Sequence, residues 1–344
     1  MLREYSCSNF NDNLDLFSLS QRDFYPKNKK KNYLNTEPDD NNLPSAPKLS
    51  KSNNINYDMI SEEPEDKIYI EDSINSLNYI ARPYIKDNFY ELTCFEKKTK
   101  YFAKRYSKFS LTFCGEKTEE ERFINEINIL NSLKHDNILP FLKYLKDEEY
   151  YYILYKKYRI ISLREYLNQR KNLSENEVRF IIIELVNLLK YLRSNNIIHR
   201  NLNLDNILLT DQGNIKVIGF DEAIRLNSSQ KSIKHKIWWG ECISAPEVIN
   251  RNNSLDEYNV DYSYEKYNVD YSYEIDIWSL GYIMHFLLVG KEPNVDYNTN
   301  MKQFSQSIPN ISKRAKDCIC RLLEPYPKKR QKLNQILMLD FFYY

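Results

Sequence analysis

The stretch IIHRNLNLDNILLTDQGNIKVIGFDEA, residues 197–223, decides how this chain is interpreted. Two runs rich in Ile, Leu and Val, NILLT and NIKVIGF, predict two short strands within it. A polar triplet, HRN at 199–201, precedes the first strand, and GFD at 219–221 ends the second. The stretch therefore combines short strands with polar side chains at fixed spacing.

The sequences before and after this stretch predict different secondary structure. Upstream, FYELTCF, KYFAKRYSKF and EYYYILYKKY read as strands, and EEERFINEINILNSLKH has apolar residues at helical spacing. SLREYLNQR and ENEVRFIIIELVNLLKYLRSN predict two helices, and most of the sequence after residue 223 is helical in pattern. A small strand-rich lobe followed by a larger helical lobe is an α+β arrangement.

The first 78 residues have a different composition. They are rich in Asn, Lys, Ser, Asp and Pro, and the runs PKNKKKN and SEEPEDK show no sustained apolar period. Such a segment cannot bury enough surface to fold alone, so we predict disorder for 1–78 and a folded domain for 79–344. We favour a passive tail, with a docking arm as the alternative.

One internal repeat interrupts the second lobe. YNVDYSYE at 258–265 recurs at 267–274, within a predicted insertion of about 255–274. Two copies are too few for a solenoid, and long surface loops cost little stability. We favour a slippage insertion in a surface loop, with a Tyr-rich binding loop as the alternative.

Composition and charge exclude several classes of function. The chain has 49 basic and 48 acidic residues, so no strong field points to nucleic acid or to an anionic membrane. Its six cysteines are scattered, and the start of the chain lacks the apolar run of a signal peptide. We expect an intracellular protein of the cytoplasm or nucleus.

Four motifs in kinase-like order carry a family resemblance. IIHRNLNLDNILL, NIKVIGFDEA, SAPEVI and YEIDIWSLGYIM together are similar to the catalytic core of protein kinases, over about residues 79–344. Stretches such as SLREYLNQRKNLSENEVR resemble the polo-like Ser/Thr kinases, although the polo-box module of that family does not follow. The resemblance implies a two-lobed fold, with an N-lobe of about 79–157 and a C-lobe of about 158–344.

The same resemblance shows that the catalytic positions are changed. Asn201 stands where the family has the aspartate that orients the substrate hydroxyl, and Asn203 where it has a lysine. Gly219 replaces the metal-binding aspartate, while the metal-binding asparagine is kept as Asn206. An asparagine cannot act as a carboxylate base, and Mg²⁺ sites depend on carboxylates. We therefore expect no metal, apart from weak rescue by Asp205 or Asp221.

The nucleotide-binding elements are also altered. Residues 80–91, IARPYIKDNFYE, contain no glycine where the family has a glycine-rich phosphate loop. Counting two residues from the alanine of FAKR places Arg105, with Lys104 facing away, at the phosphate-binding lysine. Glu126 matches its helix partner, and we predict a structural Arg105–Glu126 pair. We also expect Phe89 and Tyr155 to narrow the cleft.

The residues that the resemblance assigns to the framework are retained. They are the members of the interlobe stack, its anchor and a buried ion pair: Leu130, Phe141, His199, Phe220, Asp276, Glu247 and Arg330. Packing residues persist while chemistry residues have changed, which favours a pseudokinase that binds or regulates protein partners, such as an active kinase or a kinase substrate. We expect no cofactor and weak or no ATP binding. The alternatives are a divergent, weakly active kinase and a metal-independent nucleotide-binding switch.

Overall fold

The computed structural model describes residues 68–72, 77–84, 86–109, 118–170, 173–227, 232–234, 244–248 and 270–343. A six-stranded antiparallel sheet, with one helix between its fourth and fifth strands, precedes a mostly helical part, in agreement with the predicted α+β kinase-like fold. The strands of this sheet, in chain order, are β1 (Ile68–Asp72), β2 (Leu77–Tyr84), β3 (Lys86–Cys94), β4 (Lys100–Ser107), β5 (Phe141–Lys146) and β6 (Tyr150–Lys156).

Strand β1 was not expected. We predicted disorder for all of 1–78, but Ile68–Asp72 pairs with the start of β2, from Ile68 opposite Ala81 to Asp72 opposite Leu77. The prediction is wrong for these residues, because the two-residue alternation of IYIED is short and lies among charged neighbours. Residues 1–67 and 73–76 lie outside the described part of the chain.

The sheet runs in the order β1-β2-β3-β4-β6-β5, and a side chain of the edge strand β5 reaches β2. Lys143 of β5 donates to the hydroxyl of Tyr79 in β2 over 3.0 Å. One face of the sheet carries a small core of buried residues from β2, β3, β4, β5 and β6, including Leu92, Ala103 and Leu154. The opposite face of the sheet carries the side chains that form the cleft.

Helix α1 (Glu119–Leu130) packs against that opposite face. Thr118 begins it with a capping box, in which its hydroxyl accepts from the Glu121 N–H and the Glu121 carboxylate accepts from the Thr118 N–H. The buried side of the helix presents Phe123, Ile127 and the carboxylate of Glu126. The cap fixes where the helix begins, and therefore which of its residues face the cleft.

The second lobe is built around one buried helix, Glu274–Val289. Its elements, in chain order, are β7 (Ile160–Ser162), α2 (Leu163–Arg170), α3 (Glu175–Ser194), β8 (Ile197–Ile198), β9 (Ile207–Thr210), β10 (Ile215–Val217), β11 (Ile224–Arg225), β12 (Ile233–Lys234), β13 (Asp270–Tyr271), α4 (Glu274–Val289), α5 (Met301–Ser307) and α6 (Lys313–Leu322). Helix α4 is buried along most of its length. None of the helices in the described ranges is long and apolar enough to cross a membrane.

Two polar contacts fix this lobe. Asp276, at the start of α4, accepts the backbone N–H groups of His199 and Arg200 over 2.8 and 2.9 Å. Arg330 forms a forked pair with Glu247 over 2.7 and 2.9 Å, with both partners buried. These are the positions that the resemblance assigned to the framework.

The end of the repeat belongs to the core. Asp270 and Tyr271, in the second copy, form β13 and pair with β12. The Tyr271 side chain is only 3% exposed, and the Arg200 guanidinium lies 5.6 Å from its ring centroid. The prediction of a surface-loop insertion therefore does not hold for this end of the repeat, whereas residues 255–269 lie outside the described part.

Candidate functional site between the lobes

The buried cation of the cleft is Lys104. Side chains alternate along β4, so Phe102, Lys104 and Tyr106 share the face that looks toward α1. The Lys104 ammonium lies 2.9 Å from the Glu126 carboxylate and 3.0 Å from that of Asp221. Burial alone lowers the pKa of Lys104, but the two carboxylates outweigh burial and raise it. Lys104 is therefore charged and 4% exposed.

Arg105 lies on the opposite face of the sheet, so the predicted Arg105–Glu126 pair is wrong. Its guanidinium sits 4.7 Å from the ring centroid of Tyr90 and 4.4 Å from that of Tyr150. The error came from counting forward from Ala103, which faces away from Glu126. The alternation of large side chains at 102, 104 and 106 was the signal that could have placed Lys104 correctly.

Glu126 is surrounded by donors. Its carboxylate accepts from the hydroxyls of Tyr106 and Tyr155 and from the backbone N–H of Phe220, the last two over 3.1 and 3.2 Å. Burial, together with the Glu126 charge, raises the pKa values of Tyr106 and Tyr155 well above the usual range. Both hydroxyls stay protonated as donors, so the buried carboxylate is fully satisfied.

Asp221 forms the second anionic centre of the cleft. Besides Lys104 it pairs with Arg122 of α1, which also contacts Glu222 over 3.0 Å. Burial raises the pKa of Asp221, but Lys104 and Arg122 overcome that effect and hold it well below its ordinary value. Asn125 donates to the Asp221 and Ala223 carbonyls, each over 2.9 Å. Helix α1 is thereby bound to the Phe220–Glu222 turn.

Gly219, at the position of the metal-binding carboxylate, carries no charge and lies against the side chain of Asn206. Gly219 has φ +87°, and a Cβ added there would lie 2.6 Å from Nδ2 of Asn206. That amide donates to the Asn201 carbonyl over 2.8 Å, while the Asn203 amide donates to the Asn201 side-chain oxygen over 2.8 Å. The side chains of this loop therefore bond to the loop itself.

Both aspartates considered for metal rescue are engaged. Asp205 accepts from Nε of Arg164 with both carboxylate oxygens, over 2.8 and 2.9 Å, and Asp221 holds Lys104 and Arg122. Across the described residues, no group of three or more His, Cys, Asp or Glu side chains has the arrangement of a metal site. A metal would have to compete with existing ion pairs at either carboxylate.

Aromatic rings fill the side of the cleft beneath β3 and β4. Phe89 and Phe102, both buried, stack with centroids 5.0 Å apart and planes 16° apart. Phe102 also contacts the rings of Tyr155 and Tyr84 at 6.1 and 5.7 Å. The Tyr84 hydroxyl donates to the carbonyl of Ile160, in the second lobe, over 3.4 Å. Phe89 and Tyr155 were expected to narrow the cleft, whereas Phe102 and Tyr84 were missed.

The segment above these rings is a hairpin. Residues 80–84 and 86–91 belong to β2 and β3, which pair from Ile80 opposite Thr93 to Tyr84 opposite Lys86, with a shift in register after Pro83. Strand pairing engages the backbone groups of these residues. A phosphate-binding loop instead needs backbone N–H groups that point at the ligand.

Comparisons with known proteins identify the family of this chain. A family model described as the protein kinase domain matches residues 92–342. The chain belongs to the protein kinase family. Its framework contacts lie where kinase motifs were identified: His199 and Phe220 meet edge to face with centroids 4.6 Å apart, and Leu130 and Phe141 belong to the same core.

The relatives include polo-like Ser/Thr kinases. The kinase-like chain is 34% identical over 309 residues to the probable serine/threonine-protein kinase CCRP1 of Zea mays, covering 87% of this chain and 46% of that protein. It is 30% identical to the serine/threonine-protein kinase polo of Drosophila melanogaster, covering 65% and 37%. It is 33% identical to the cell cycle serine/threonine-protein kinase CDC5/MSD2 of Saccharomyces cerevisiae, covering 70% and 33%. The chain thus spans less than half the length of these relatives.

Proposed function

We propose that this chain is a catalytically inactive kinase-like protein that acts as a binding platform or allosteric regulator in signalling or cell-cycle control. The proposal rests chiefly on the pair of positions 201 and 219, which hold Asn and Gly, with Asn206 packed against Gly219. Phosphoryl transfer needs an oriented acceptor hydroxyl and metal ions bound by carboxylates. Neither position offers a carboxylate, and a side chain at 219 would meet that of Asn206 at a positive φ.

Nucleotide binding is proposed to be weak or absent. The charge of Lys104, which a kinase directs at phosphate, is balanced by Glu126 and Asp221 at 2.9 and 3.0 Å. The stacked Phe89 and Phe102 rings fill the adjoining space beneath the sheet. A nucleotide would have to displace a buried ion pair and open an aromatic contact, and we expect no other cofactor.

The partners are proposed to be proteins, such as an active kinase or a kinase substrate, in the cytoplasm or nucleus. The near balance of 49 basic and 48 acidic residues argues against nucleic acid or an anionic membrane surface as a partner. Relatives named as cell-cycle and polo kinases support a place in such signalling.

The test is labelled-phosphate transfer to the protein itself and to a generic Ser/Thr substrate, with magnesium or manganese ATP. A Lys104→Met variant, purified in parallel, reports any contaminating kinase. We expect equal background from both proteins. Transfer by the wild type that disappears in Lys104→Met would contradict the proposal.

One observation favours the divergent-kinase alternative. Lys104 keeps its pair with Glu126, so the lysine thought to be missing is present. Weak activity would then use Asp205 or Asp221 in altered geometry, and either would first have to leave its ion pair with Arg164 or Arg122. A metal-independent nucleotide switch would show ATP binding without transfer.

A further inference from the structure

We infer that Asp221 is a built-in counter-ion that occupies an oxyanion site formed by Lys104 and Arg122. The inference goes beyond the proposed function, because it concerns an anion site that the protein fills with its own carboxylate. It assigns Asp221 a positioning role: the carboxylate holds helix α1 against the Gly219–Glu222 segment without any ligand.

The geometry is that of a bridged anion. Lys104 on β4 contacts one oxygen of Asp221 at 3.0 Å, and Arg122 on α1 contacts the other oxygen. The two cations thus come from different elements and meet on one carboxylate that is 2% exposed. The Lys104 contact is an ion pair, whereas the Arg122 contact is a charge-assisted hydrogen bond, which is the strong class, and a guanidinium matches carboxylate and phosphate alike.

Other anions nearby do not take over this role. Glu126 already accepts from Lys104, Tyr106, Tyr155 and the Phe220 N–H. Glu222 contacts the Nε atom of Arg122 at 3.0 Å, whereas Asp221 takes the NH2 group. Loss of the Asp221 carboxylate therefore leaves one donor group on each cation without its anion.

The site has a route to solvent. The Arg122 side chain is 26% exposed, whereas the Lys104 side chain is 5% exposed. One edge of the cluster therefore faces water, and a small ion such as formate or acetate can reach it once the carboxylate is removed. The chemical class of ligand is a small oxyanion, and a nucleotide phosphate entering the cleft would compete with Asp221 for the same donors.

Chemical rescue tests the inference. Asp221→Ala deletes the carboxylate and leaves space, whereas Asp221→Asn fills the same space without charge. Melting of the full chain is followed in rising sodium formate or acetate, against sodium chloride at equal ionic strength. We expect formate or acetate to restore, saturably, at least half of the melting temperature that Asp221→Ala loses. The melting temperatures of Asp221→Asn and of the wild type should change no more in formate or acetate than in chloride.

Three outcomes overturn the inference. The first is a formate response of the Ala variant no larger than that of the Asn variant or the wild type. The second is a double variant, Asp221→Ala with Arg122→Met, that is rescued as fully as the single one. If the Ala variant does not fold in chloride, its refolding yield is measured in formate, and recovery only in formate supports the site. The third refuting outcome is that neither Asp221→Ala nor Asp221→Ser refolds in formate or in chloride. Nucleotide binding does not enter these readouts.

Discussion

Replacing Lys104 with methionine tests the buried charge cluster most sharply. Methionine keeps the length of the side chain but removes the cation that Glu126 and Asp221 share at 2.9 and 3.0 Å. Removing one partner of a buried ion pair typically costs about 3–5 kcal/mol of folding free energy, because a charge is left buried without compensation. Asp221 keeps Arg122 and Glu126 keeps its hydroxyl donors, which places the expected loss near the lower end of that range.

The matched control is Arg105→Met, one residue along the same strand. Arg105 contacts the rings of Tyr90 and Tyr150 on the other face, and each such cation–π contact is worth about 0.5–1 kcal/mol. We therefore expect a loss of about 1–2 kcal/mol for this variant. The sequence-based placement of Arg105 at Glu126 predicts the opposite order.

Urea unfolding and thermal melting measure both losses. For a domain of this size about 1 kcal/mol corresponds to roughly 2–4 °C, so Lys104→Met should melt at least about 6 °C lower than the wild type. Arg105→Met should melt about 2–8 °C lower. Equal losses, or a larger loss for Arg105→Met, would refute the account of the cluster.

Three further predictions follow from other contacts. Gly219→Asp should lower stability by about 1–3 kcal/mol, because a side chain there meets Asn206 at a positive φ; an unchanged melting temperature would contradict this. Glu247→Gln should cost about 3–5 kcal/mol in urea, since Arg330 stays buried, whereas an exposed control, Glu148→Gln, should cost nothing measurable. Burial lowers the pKa of His199 to about 4. The neutral imidazole therefore contributes fully to the free energy of unfolding above about pH 6.5, and this contribution is lost as the pH falls toward 4. Between pH 7 and 4 the wild type should lose about 3 kcal/mol more than His199→Phe in parallel unfolding curves, and parallel losses would show that His199 is not buried neutral.

The fold was predictable because its motifs have fixed spacing. Strands β3, β4 and β6 and helix α1 are readable as local patterns, whereas the helix beginning at Glu274 is buried on most sides and was placed by the kinase resemblance. Glu247 and Arg330 were also placed together, although 83 residues separate them, because the kinase resemblance supplied the contact.

The contacts that could not be predicted are those that depend on which face of the sheet or helix a side chain occupies. A one-residue error in counting along β4 exchanged Lys104 and Arg105, since alternate residues point to opposite faces. Arg122 gave no signal of its own, because an arginine on a polar helix is ordinarily solvated. Phe102 and Tyr84 were missed because their ring contact joins β2 and β4, two strands that are not neighbours in the sheet, and because the Tyr84 hydroxyl bonds to Ile160 in the second lobe.

Binding of magnesium ATP tests the central claim most directly. The full chain is titrated with ATP, with and without magnesium, and followed by thermal shift and calorimetry. A ligand at a hundred times its dissociation constant stabilises the native state by about 2.7 kcal/mol, which such a shift would register. The account predicts no magnesium-dependent rise in melting temperature at millimolar ATP. A saturable, magnesium-dependent rise would contradict it and would favour the divergent-kinase alternative.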